Sequence, residues 1–145
     1  MGLSGVTRPC AFVFIREAER VLVARMTDPT DGSPFYRPLG GGIEFQERAA
    51  DAARREIREE LGVELGELRL LGVVENVFEY DGKRGHEICF VYDADPVGWS
   101  VDRFDGYAVP GAAAAGGDET ACVVGADELR TLAPLYPDGV RDLLG

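Results

Sequence analysis

The stretch GGGIEFQERAADAARREIREELGV, residues 40 to 63, holds both a fold signal and a chemical one. Ala50, Ala53, Ile57 and Leu61 recur at helical spacing and Gly62 stands where a C-terminal cap belongs, so a helix is expected from about Gln46 to Leu61. At about 100° per residue, with Ile57 at 0° on the buried face, the other three apolar positions fall within about 40° of it, and Glu60, Glu56 and Glu59 fall at about 300°, 260° and 200°. These acids crowd the last turn and a half, where the helix dipole is already negative. A solvated face with Arg55 paired to Glu59 is one explanation. It leaves three mutually repelling carboxylates that a single Arg cannot neutralise. A hard divalent cation such as Mg²⁺ or Mn²⁺ takes oxygen ligands at this i, i+3, i+4 spacing and would then present positive charge to a phosphate. On the opposite shoulder Asp51, Arg54, Arg58 and Glu47 are placed to neutralise one another. Gly40, Gly41 and Gly42 permit positive φ and a close backbone approach to a ligand, although a tight turn accounts for such a triplet equally well.

Around this segment the chain reads as strands. Residues 10 to 15 and 20 to 26 form an expected hairpin across the polar REAE segment, with the first strand central. Residues 27 to 34, TDPTDGSP, are a loop by composition, and FYRPLGGGIEF carries an extended piece into the glycines. LRLLGVVENVFEY and GHEICFVYDAD flank an Asp81-Gly82 turn signal and read as a long antiparallel hairpin. Residues 110 to 118, PGAAAAGGD, look like a flexible loop, and a last strand at about Thr120 to Val124 precedes short helices in ADELRTL and PDGVRDLL. The segment GWSVDRFDGYAV is ambiguous. One interior helix among runs of strands, closed by C-terminal helices, predicts an α+β or α/β/α arrangement with a mixed sheet.

At 145 residues and 46% hydrophobic content the chain is expected to be one domain, residues 1 to 145, with a real core. A formal charge of −11 argues against partners such as a nucleic acid polymer or an anionic membrane. A phosphate ligand would need positive charge supplied locally. Cys10, Cys89 and Cys122 lack CxxC spacing and pair evenly with nothing, which fits a reducing cytoplasm better than a disulfide framework or a zinc site. The apolar run from Cys10 to Ile15 is too short for a membrane span or signal core, and Val6 stands where a myristoylation signal wants Ser or Thr.

Gly41, five residues, Glu47, seven residues, Arg55-Glu56-Ile57, one residue, Glu59-Glu60, one residue, Gly62-Val63 is similar at every position to the Nudix box, G-x5-E-x7-R-E-U-x-E-E-x-G-U. The order of strands and helix also resembles a Nudix domain over essentially the whole chain. The resemblance implies an α/β fold, a Nudix-type α/β/α sandwich with a mixed β-sheet, that hydrolyses a phosphoanhydride in a nucleoside diphosphate linked to another moiety. It implies Mg²⁺ or Mn²⁺ held by Glu56, Glu59, Glu60 and the carbonyl of Gly40, with Glu56 as a candidate general base and Arg55 with Glu47 as an orienting pair. Glu119 is the second candidate base, since several family members draw a base or extra ligand from this region; a polar loop end is the plainer reading of Asp118 and Glu119. YRPLGGGIEFQE resembles a MutT-type variant of the loop, RPLGGGIEFGE. Leu39 stands where many members have Pro, and Gln46 stands where Gly often precedes the box Glu, which bears on where the helix starts.

The implied partner is a small nucleotide: a nucleoside triphosphate, a dinucleoside polyphosphate or a nucleotide sugar. Relatives often form a homodimer. The competing reading is a non-catalytic Nudix-fold module that binds a nucleotide ligand for regulation; such modules tend to carry a damaged box, and this box is intact. His86 reads as a surface residue near a turn. Tyr80 lies near where dinucleoside-polyphosphate-cleaving relatives place a stacking Tyr, and Trp99, Phe35 and Tyr36 are aromatic candidates for base stacking or, more plainly, for packing.

Overall fold

The computed structural model describes residues 5–80, 82–110, 118–132 and 134–144. Two strands, β1 (Thr7–Glu17) and β2 (Arg20–Thr27), form the expected hairpin, but they pair directly only near its turn, at Ile15 to Glu17 against Arg20 to Leu22. Beyond that they splay apart. The gap is filled by β3 (Pro34–Arg37), which pairs with β2, and β4 (Leu39–Gly42), which pairs with β1. Pro38 falls between them, where a residue without a backbone N–H interrupts a ladder at least cost.

The other edge of β1 runs parallel to β6 (Lys83–Ala94), which is joined antiparallel to β5 (Arg69–Tyr80). β8 (Glu119–Gly125) flanks β2, and the two-residue β7 (Tyr107–Ala108) closes the far edge. The order β5-β6-β1-β2-β8-β7, with both parallel and antiparallel ladders, is the expected mixed sheet with β1 inside it. Asp81 of the predicted turn and residues 111–117 of the predicted small-residue loop lie outside the described residues.

β1 is apolar on both faces because both faces are covered. Ala11, Val13 and Ile15 join the core under α1 (Ala49–Leu61), whereas Cys10, Phe12 and Phe14 join a second core covered by α2 (Ala126–Thr131) and the 3₁₀ turn Val140–Leu144. The helices therefore sit on opposite faces of the sheet. The PDGVRDLL segment gives only that 3₁₀ turn, and the ambiguous GWSVDRFDGYAV contributes a 3₁₀ turn at Val101–Phe104 followed by β7. Among the described residues no helix is long and apolar enough to cross a membrane.

α1 starts at Ala49, three residues later than its apolar pattern suggested. The cause is Gln46, whose φ of 67° is left-handed and incompatible with a helical start. The buried face is Ala52, Ala53, Ile57 and Leu61, with Ala50 only partly covered, so the true face is turned slightly from the expected one. Gly62, at φ 71°, ends the helix as expected, its N–H bonded to the Arg58 carbonyl at 2.9 Å.

Within β4, Gly40 is glycine because nothing larger fits. At Gly40, φ is 140°, and a Cβ would strike the Ala11 carbonyl and lie 2.9 Å from the Phe12 Cα. Gly40→Ala is expected to cost about 3 kcal/mol or more, since strain and backbone collision add. Urea unfolding of the purified variant measures this, and an unchanged midpoint would contradict the packing described.

Candidate active site

β4 delivers its glycines against the C-terminal half of α1. A Cβ on Gly41 would lie 2.7 Å from the Glu56 carboxylate carbon, so that backbone and carboxylate touch only because the side chain is missing. Arg55 ties this contact together. Its Nε and Nη2 donate to the two oxygens of Glu47 at 2.8 and 3.0 Å, Nη2 also donates to the Gly42 carbonyl at 3.0 Å, and Nη1 reaches Glu56 at 3.1 Å and Glu59 at 3.3 Å. Glu47 in turn accepts from the Glu44 N–H at 3.0 Å, which fastens the loop leading into α1. These hydrogen bonds hold the Glu47 carboxyl down at about 2, Arg55 contributing most.

The opposite shoulder of α1 does not neutralise itself as its spacing suggested. Arg54 donates to the Leu65 and Gly66 carbonyls and Arg58 pairs with Glu64, because the chain folds back past the helix C-terminus and brings acceptors nearer than Asp51 or Glu47.

On the cleft side the acids are crowded and partly without partners. Burial pushes the Glu60 carboxyl up to about 9, with the charge of Glu119 adding to the effect and Arg37 and a backbone hydrogen bond from Gly40 opposing it. Burial likewise raises Glu56, against the pull of Arg55. Glu119 is not a loop end but the first residue of β8, 8% exposed, and its Oε1 accepts from Arg37 Nη2 at 3.0 Å. Glu60 Oε1 and Glu119 Oε2 are buried and accept no hydrogen bond among the described residues. Orphaned carboxylate oxygens of this kind are costly, and they mark a place for a proton or a cation.

Among the described residues no three His, Cys, Asp or Glu side chains converge closely enough to hold a metal ion as they stand, Glu56 and Glu59 being turned to Arg55. The donor set is nevertheless all hard oxygen. With two of its oxygens unsatisfied, it fits Mg²⁺ or Mn²⁺ rather than a thiophilic metal.

These acids line a cleft of about 800 Å³. Phe35, Tyr80 and Tyr136 line it too, the rings of Tyr80 and Tyr136 packed edge to face on Phe35 at centroid distances of 6.0 and 5.7 Å. Of the remaining candidates, Tyr36 packs into the second core, Trp99 is bonded to the Glu64 carbonyl at 2.8 Å, and His86 pairs with Glu75 at 2.7 Å on the outer surface. Asp118 is exposed and outside the cleft. Sequence reasoning missed Arg37, Arg8, Asn76 and Asp138 as cleft residues; only Arg37, two residues before β4, carried a local signal.

The NUDIX domain family model matches residues 6–139, and the chain belongs to that family. Solved structures share its fold. A MutT Nudix hydrolase from Burkholderia pseudomallei is 23% identical, with 96% of each chain covered and a TM-score of 0.60. A MutT protein from Methanosarcina mazei is 21% identical over 99% of this chain and 94% of its own, with a TM-score of 0.61. A Nudix hydrolase from Nitrosomonas europaea is 16% identical over 96% of this chain and 86% of its own, with a TM-score of 0.63.

Glu60 holds its proton to about 9 in the folded chain, against 4.5 for a free carboxyl. Its contribution to stability is thus complete below the unfolded value and is lost as pH rises through about 9. Metal-free protein should lose stability across this window by up to about 1.4 kcal/mol per pH unit. Glu60→Gln, which mimics the protonated form, should flatten the slope; denaturant melts at several pH values that gave both proteins the same slope would refute the assignment.

Proposed function

We propose that this chain is a divalent-cation-dependent pyrophosphohydrolase acting on a nucleoside diphosphate linked to a second group. The observation that carries this reading is the pair of buried oxygens on Glu60 and Glu119 that have no partner among the described residues, in a cleft of about 800 Å³ that Glu56 also lines. Glu56, Glu59, Glu60 and the Gly40 carbonyl are the proposed metal-holding groups. Bound there, Mg²⁺ or Mn²⁺ would polarise the phosphate, lower the pKa of a bound water and neutralise charge on the leaving phosphate.

The chain's own groups supply the rest. Glu56, raised by burial, is suited to accept a proton from the attacking water, and Glu119 is the alternative acceptor. Arg55 and Glu47 hold Glu56 and the glycine strand in register and touch no substrate in this scheme. Phe35, Tyr80 and Tyr136 offer stacking surface for a nucleobase. The substrate class covers nucleoside triphosphates, dinucleoside polyphosphates and nucleotide sugars. We further propose a single-domain protein in the reducing cytoplasm, consistent with the free thiols of Cys10, Cys89 and Cys122; homodimer formation rests on family resemblance.

A panel of these nucleotides with Mg²⁺ or Mn²⁺, followed by product analysis, tests the reading. Glu56→Gln and Glu60→Gln should each lower kcat at least 100-fold while leaving the fold intact by circular dichroism. No turnover of any compound by the wild type, with ligand-induced thermal stabilisation instead, would favour the binding-module alternative. Full turnover by Glu60→Gln would refute the assigned chemistry.

A further inference from the structure

A polyphosphate entering this cleft meets eight carboxylates and, among the described lining residues, only two cationic side chains, Arg8 and Arg37. Their commitments differ. Arg37 donates to Met26 Sδ at 3.0 Å, to the Pro38 carbonyl at 3.2 Å and to Glu119 at 3.0 Å, and its guanidinium lies 5.1 Å from the centre of the Phe12 ring. It is locked in place, and moving it would leave the buried Glu119 uncompensated.

Among the described residues the Arg8 guanidinium donates no hydrogen bond and meets one anion, Glu87, with its Nη1 3.7 Å from Oε2. That separation is beyond hydrogen-bond range, and the Arg8 side chain is 35% exposed. Shape rather than partners positions it. Its Nη2 occupies space beside Gly42, where a Cβ would come within 2.5 Å, and the ladder places Cys10 opposite Gly42 and Arg8 opposite Glu87. Gly42, beside Arg8, follows Gly41, which lies against the Glu56 carboxylate, and both Arg8 and Glu56 line the cleft. A cleft-lining guanidinium with a full complement of free donors among the described residues is suited to bidentate recognition of a phosphate.

We propose that Arg8 is the phosphate-recruiting residue of this cleft: it leaves Glu87 and pairs with non-bridging oxygens of the substrate's phosphate chain, while Arg37 stays with Glu119. This rests on the phosphoanhydride reading above. Such a contact is made in the ground state and the transition state alike, so it acts on KM more than on kcat. Glu87 is then a competing anion, and removing its charge should help binding only while Arg8 is present.

Steady-state kinetics on the best nucleotide of the panel test this, alongside calorimetric binding of a methylene-bridged nucleoside triphosphate in Mg²⁺. Arg8→Ala should raise KM and the analogue's Kd at least tenfold with kcat within about threefold. Arg8→Lys should recover part of the loss, and Glu87→Gln should tighten binding severalfold, a gain that vanishes in the Arg8→Ala background. Unchanged KM and Kd in Arg8→Ala, or an equal gain from Glu87→Gln with and without Arg8, would overturn the proposal. If the wild type binds the analogue but cleaves nothing, the hydrolase reading fails and the Kd comparison still decides the role of Arg8. A wild type that binds no polyphosphate overturns both.

Discussion

The glycines of β4 lie between β1 and α1, and at Gly40 only a backbone without a side chain fits. On one side Gly40 lies against the Ala11 carbonyl; on the other Gly41 lies against the Glu56 carboxylate. β1 and β2 separate beyond their turn because β3 and β4 enter between them, and the cleft opens along that entry. A side chain at either glycine would push the helix from the sheet or turn Glu56 away. The fold and the site are therefore set by one steric requirement.

Around these glycines the charges fall into two groups. Arg55, Glu47 and the Gly42 carbonyl form a satisfied network whose effect is to make the loop, the strand and the helix move as one. Glu60 and Glu119 form the opposite kind of group: buried, with the charge of Glu119 adding to the cost of ionising Glu60, and with an oxygen each left without a partner among the described residues. A network that satisfies Glu47 on the loop side while two buried carboxylate oxygens in the cleft go without partners among the described residues concentrates its electrostatic cost where a cation would be held.

Much of this was legible in the chain. The alternation and length of the strands marked the hairpins, and the acids at Glu56, Glu59 and Glu60 stood out because their placement against the helix dipole has no structural benefit. Periodicity alone offered Arg55 only as a partner of Glu59, and its pairing with Glu47 came from the family resemblance; its bond to the Gly42 carbonyl depends on the loop folding back, which periodicity does not encode. The late helix start follows from the left-handed backbone at Gln46, a residue whose type does not announce it. Arg37, Arg8 and Glu119 belong to separate strands, and sequence alone does not say that β3, β1 and β8 bring them to one cleft. The buried setting of Glu119 needed its register opposite Met26.

The carboxylate cluster of the cleft is, on this account, the place where a divalent cation would be held. Calorimetric titration of Mn²⁺ into metal-free wild type and Glu60→Gln, with no nucleotide present, addresses this without reference to any substrate. Saturable binding by the wild type that weakens at least tenfold in the variant is the predicted result. No binding by the wild type, or equal affinity in the two proteins, would contradict it.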